Sequence, residues 1–130
     1  MASQYNTIRK DLEEYFESNW PTTPIDFANA RFTQPKGEFT RFRVVFGDSD
    51  QISMGDTPDH RAQLLITISL FGKENTGTGQ LLGYADTIVD LFTNKTIGVV
   101  NTRSPGLDDR GVVSGHYQIN ILVPAWSDRN

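Results

Sequence analysis

Residues 61–92, RAQLLITISLFGKENTGTGQLLGYADTIVDLF, constrain what this chain can fold into more than any other stretch. Leu64, Ile66, Ile68 and Leu70 are apolar at every even position, while the odd positions mix Leu65 and Phe71 with Thr67 and Ser69. That period of two predicts a strand with one face in a core and the other partly covered. Glycine breaks the alternation at Gly72, Gly77 and Gly79, and a helical period takes over. Leu81, Leu82, Tyr84, Ala85, Ile88, Val89, Leu91 and Phe92 fall on one side of a wheel; Gln80, Gly83, Asp86, Thr87 and Asp90 fall on the other. The apolar arc covers about half the circumference, wider than the ~100° stripe of an ordinary surface helix. Such a helix needs a sheet to lie on.

Composition sets the outer bounds. A chain of 130 residues suits one domain with one core. We expect that domain to span 1–124, with 125–130 as a loose tail after Pro124. Twelve Lys and Arg against sixteen Asp and Glu give a net charge of −4, which argues against nucleic acid and anionic membranes as partners. The absence of cysteine excludes disulfides, thiolate nucleophiles and zinc-thiolate sites. MASQYNTIRKDLEE carries no apolar signal region, and no apolar run approaches the ~20 residues of a membrane span, so a soluble protein made in a cytoplasm is expected.

Taken in order, residues 5–17 predict a first helix, with Tyr5, Ile8, Leu12, Tyr15 and Phe16 on one face and Lys10, Glu13, Glu14 and Glu17 on the opposite one. Pro21 and Pro24 end it. Residues 25–32 and 39–46 predict two strands joined as a hairpin through Pro35-Lys36-Gly37. On the second, Phe42, Val44 and Phe46 face one way; Arg41, Arg43 and Val45 face the other, with the solvent side of a sheet favoured over an anion-binding stripe. Residues 47–60, GDSDQISMGDTPDH, form a connection well beyond ordinary hairpin length. Residues 97–100 predict a short strand, 101–111 a second polar loop, 112–113 a hairpin arm and 115–123 the last strand. The fold class is therefore α+β: a four- to five-stranded, mainly antiparallel sheet with two helices on one face and long projecting loops.

Catalytic patterns are sparse. Asp48-Ser49-Asp50-Gln51-Ile52-Ser53 fails the calcium-loop pattern, because Ile52 and Ser53 stand where an oxygen ligand and a glycine belong. Gly77-Thr78-Gly79 starts six residues past the strand, too far for a dinucleotide-binding turn, and Thr78 stands where a phosphate-binding lysine belongs. Neither His60 nor His116 has a nucleophile or ligand partner at a telling spacing. No catalytic residue, cofactor or metal is expected. Long loops on a small domain without a catalytic cluster usually make contacts, and open sheet edges invite a neighbouring copy. Ile52 and Met54 are apolar residues in an otherwise polar loop, which hints at docking onto another chain but fits equally with their tucking under the sheet.

The order helix, proline break, two strands, polar loop, long strand, Gly loop, wide-faced helix, strands resembles the tail-terminator (tail-completion) proteins of long-tailed bacteriophages. The likeness is carried by Gln51-Ile52-Ser53-Met54-Gly55, Arg61-Ala62 leading into Leu64–Phe71, Gly77-Thr78-Gly79, and Ala85-Asp86-Thr87-Ile88-Val89-Asp90-Leu91-Phe92. The resemblance implies a non-enzymatic virion protein, assembled in the host cytoplasm, that forms a ring, by analogy a homohexamer. The ring sits on the head-proximal end of the tail tube, where it ends polymerisation and serves head–tail joining. The implied partners are further copies of itself, the major tail tube protein and the neck or head-completion proteins. By the same analogy the contact residues lie in residues 47–61, Asp48, Asp50, Ile52, Met54, Asp56, His60 and Arg61, with Ile52 and Met54 as apolar anchors and the acids as steering charges. A neck or head-completion subunit is the alternative, and a small metal-dependent enzyme using Asp48, Asp50, Asp56 and His60 the outside one.

Overall fold

One strand carries the architecture. β3 (His60–Lys73) pairs along its whole length with β7 (His116–Arg129) on one side and with β2 (Phe39–Gln51) on the other. Its even positions, Leu64, Ile66, Ile68 and Leu70, are buried, as the alternation predicts. Opposite them stand Val44, Phe42, Ile119, Ile121, Val123 and Ala125, so three adjacent strands contribute to one apolar face. The computed structural model describes residues 4–27, 38–51, 60–73, 79–113 and 116–129.

Both helices contribute to the core over that face. α1 (Gln4–Asn19) contributes Ile8, Leu12 and Phe16, spaced by four so that they stack along one side. α2 (Gly79–Phe92) contributes Leu81, Ala85, Ile88 and Phe92 at the same kind of spacing. The buried stripe of α2 is narrower than its composition suggests: Leu82 is exposed, and Tyr84, Val89 and Leu91 are half-buried. Tyr5, expected on the apolar face of α1, is also exposed, with its ring edge-on to Phe46. Trp20 follows α1 and closes one side of the core, where its indole Nε1 donates to Thr23 at 3.0 Å and Thr40 at 3.3 Å. Those two hydroxyls lie 2.7 Å apart, so the buried polar atoms satisfy each other.

Among the described residues the sheet has seven strands, not four or five. Its order is β1 (Ile25–Phe27), β2, β3, β7, β5 (Val100–Thr102), β4 (Thr96–Ile97), with β6 (Gly106–Val113) also on β7. It is mixed, because β1 (Ile25–Phe27) pairs parallel to β2, Ile25 facing Thr40, which rules out the simple hairpin expected there. The Pro35-Lys36-Gly37 turn lies outside the described residues. β4 (Thr96–Ile97) and β5 (Val100–Thr102) turn about Gly98. Gly98 has a φ of 58°, in the left-handed region that favours glycine, and a Cβ there would oblige the Asp11 side chain of α1 to swing aside.

Three segments expected to be loop or tail are strand. β2 continues past Gly47 to Gln51, shifting register once between Phe46 and Ser49, and β3 begins at His60. The long connection is thus reduced to residues 52–59, which lie outside the described residues. The second polar loop, 101–111, contains the end of β5 and most of β6 (Gly106–Val113), which pairs antiparallel with β7 and takes in the hairpin arm expected at 112–113. Residues 125–129 extend β7 against the start of β3 rather than forming a loose tail. Pro124 does not stop the strand, for a geometric reason. Its carbonyl accepts from the Arg103 amide at 2.8 Å, so its missing N–H faces the same side, at the interruption between β5 and β6, and leaves the β3 ladder intact.

A phenol ties the two helices together. Tyr15 Oη donates to the Leu91 carbonyl at 2.7 Å, and its ring packs edge-on against Phe92. Burial raises the Tyr15 phenol above its usual value of 10.0. A group raised in the folded state stabilises fully below its unfolded pKa, and that contribution disappears as pH rises through the folded value. Tyr15→Phe is therefore expected to lower stability by about 1 kcal/mol near neutrality. It should also flatten the fall in stability above pH 10.0, both measured by chemical denaturation across an alkaline pH series.

Candidate functional site

The end of the sheet beside the β2–β3 connection gathers side chains from three separate parts of the chain. Arg61 is the second residue of β3, Trp126 lies in β7 and Arg103 follows β5. The ladder sets Trp126 between Gln63 of β3 and Asn101 of β5, which brings all three together. The Arg61 guanidinium lies 5.4 Å from the centre of the Trp126 ring, and that of Arg103 lies 4.8 Å from it. One indole therefore carries two cations. Indole is the strongest of the aromatic partners for such contacts, each worth ~0.5–1 kcal/mol at exposed sites. In the ladder Asp50 of β2 and Asp128 of β7 are the register partners of Arg61.

Of the expected contact residues, the structure places Asp48 and Asp50 near the end of β2 and His60 and Arg61 at the start of β3. Asp50 faces Arg61 across the ladder and Gln51 faces His60, so these four residues belong to one hairpin rather than to a free loop. Ile52, Met54 and Asp56 lie outside the described residues. Among the described residues no three His, Asp or Glu side chains are grouped to hold a metal ion. Trp126 and Arg103 were not expected here. Trp126 was read as part of a tail and Arg103 as part of a loop, because neither segment has apolar alternation of its own. The available signal is a tryptophan just past the expected strand, two residues after Pro124.

The remaining charges on the strand face away from the helices are paired more conventionally. Asp26 of β1 accepts from Arg41 Nε and Arg43 Nη2, each at 3.3 Å, and Arg43 Nη1 also reaches the Asp26 carbonyl at 2.6 Å. Arg41 lies over Phe71 at 5.1 Å from the ring centre. Arg41 and Arg43 thus hold β1 against β2, and both remain partly exposed. Phe71 stacks on Phe39 at 4.5 Å between ring centres, and His116 meets both rings edge-on. His116 is thus a buried aromatic neighbour of both rings.

A family model for phage tail terminator proteins matches residues 7–103, three-quarters of the chain, and spans α1 through β5. The chain belongs to that family. It is accordingly a structural protein of phage tail assembly and a virion component. A solved protein superposes on 99% of this chain and 98% of its own length with a TM-score of 0.70. At 16% identity that likeness is one of fold. No curated protein matches the chain. Among the described residues no helix of this tail protein is long and apolar enough to cross a membrane.

Trp126→Ala removes the plate shared by both guanidiniums and part of the β5–β7 junction. It should cost roughly 2 kcal/mol in urea unfolding. Trp126→Phe, which keeps a weaker ring, should lose less than half of that. Equal losses for the two variants would show that the cations contribute nothing through the ring.

Proposed function

We propose that this protein closes the head-proximal end of a phage tail tube as a ring, ending tube polymerisation and presenting the surface to which the neck is joined. The observation that carries this reading is membership of the tail terminator family over both helices and the central strands. The fold is suited to the task in physical terms. A small domain whose sheet ends in two different edges can join to copies of itself head to tail, and such a heterologous contact closes into a ring when the rotation permits. A homohexamer is the ring size we adopt.

The ring has three classes of partner: further copies of the chain, the major tail tube protein, and neck or head-completion proteins. We assign the tube contact to the β2–β3 hairpin end, with Asp48, Asp50, Asp56, His60 and Arg61 as polar contacts and Ile52 and Met54 as apolar anchors. Trp126 and Arg103 join Arg61 on the same end of the sheet. A site of this kind binds another protein and performs no chemistry.

The test is capping. Purified protein added to polymerising tube protein should shorten the tubes and decorate one end only, as seen by negative-stain microscopy. An unchanged length distribution with undecorated ends would overturn the reading. The double variant Ile52→Asp, Met54→Asp should weaken capping by about tenfold or more if these are the anchors. Its melting temperature should stay within a few degrees of the wild-type value. Full capping by a folded double variant would remove these two residues from the contact.

A further inference from the structure

The β2–β3 hairpin is held from outside by the end of β7. On one side of β3, Ser49 stands opposite Ala62, Asp50 opposite Arg61 and Gln51 opposite His60. On the other side the same three residues of β3 face Ser127, Asp128 and Arg129. Among the described residues no other strand pairs with this part of the hairpin. Two strands alone are marginally stable in water, and a third is needed for a sheet to hold itself. The need is acute here, because Gly47-Asp48-Ser49-Asp50-Gln51 carries no apolar side chain and the register shifts between Phe46 and Ser49.

The third strand is itself anchored just before it reaches the hairpin. Ala125 and Trp126 pair with Thr102 and Asn101 of β5 on one side and with Leu64 and Gln63 of β3 on the other. Ala125, Ser127 and their neighbour Ala62 are buried, as are Val100 and Thr102 of β5. The Trp126 ring carries one guanidinium from each flanking segment, Arg61 from β3 and Arg103 from beyond β5. Because the Pro124 carbonyl faces Arg103, alternation along the strand turns the backbone groups of Ala125, Ser127 and Arg129 towards β3. Residues 125–129 also lie outside the stretch that the family model matches, 7–103.

We infer that residues 127–129 are a strap: anchored through Ala125 and Trp126, they pair with residues 60–62 and set the hairpin in the geometry that caps a tube. A hairpin without the strap has to be ordered when it meets the tube end, and that ordering weakens the contact. The strap removes the cost in advance. This inference rests on the tube contact proposed for the hairpin and names the segment that positions it.

Ser127→Pro in the full-length chain tests it, since proline removes the one amide that Ser127 turns towards Ala62. Two quantities are read: amide hydrogen exchange along the chain, and capping of polymerising tubes. Exchange at residues 49–51 and 60–62 should accelerate by about tenfold or more while that of residues 66–70 stays unchanged. Capping should weaken by about tenfold or more. Ser127→Ala, which keeps the amide, should keep both properties. Unchanged exchange in the hairpin of Ser127→Pro would overturn the inference and leave the ring reading standing. Fast exchange with full capping would also overturn it, because the hairpin would then need no ordering. A chain stopped after Trp126 is the second variant and should behave as Ser127→Pro does. Its failure to fold, judged by circular dichroism, would make residues 127–129 part of the core and overturn the strap. Wild-type protein that does not cap tubes ends the ring reading itself, and with it the role given to the strap.

Discussion

The structure depends on β3 being hydrogen-bonded on both edges at once. A strand paired on both sides must send its side chains either into the helices or to the opposite face, and the register cannot slip by one residue without exposing the whole apolar set. Leu64, Ile66, Ile68 and Leu70 face the helices, each buried to within a few per cent of completeness. Fully burying one such side chain stabilises by ~1.5–3 kcal/mol, so these four positions alone rival the net stability of a small domain. Phe42 of β2 and Ile119, Ile121 and Val123 of β7 extend the same plane, and α1 and α2 close over it.

The polar connections follow from that frame. Thr102 is buried where β5 meets the end of α2; its hydroxyl lies 2.6 Å from the Phe92 carbonyl, to which it donates, and accepts from the Lys95 amide at 2.8 Å. A single side chain therefore satisfies backbone groups left over at a helix C-terminus and at the turn that follows it. Asp11 of α1 approaches the Gly98 turn and lies 3.4 Å from the Val99 amide, fixing the first helix to the far edge of the sheet. The sheet interior is repetitive and apolar. Its periphery is held by a few specific polar contacts, several of them between residues far apart in sequence.

That contrast explains which parts of the fold were legible before the structure. β3, α1 and α2 have strong apolar periods of their own, and each was placed within a few residues. The Gly47-Asp48-Ser49-Asp50-Gln51 segment has no such period and is strand through its pairing with β3, as β6 is through its pairing with β7. Pro124 reads as a terminator in sequence, yet its missing donor faces a gap in the neighbouring edge, so β7 continues through Trp126. The parallel placement of β1 depends on Asp26 meeting Arg41 and Arg43, a contact that no local pattern announces. The candidate site was legible in part: Arg61 belongs to the pronounced strand, whereas Arg103 and Trp126 reach it only through the sheet topology.

The role we propose is one of geometry rather than chemistry: recognising one kind of tube end and preventing further addition there. The most direct test is the length of tails made in infected cells that lack the protein, scored by electron microscopy. Termination at the head-proximal end predicts overlong tails without heads, corrected when the protein is supplied. Tails of normal length beside unjoined, DNA-filled heads would contradict termination and assign the protein to joining alone.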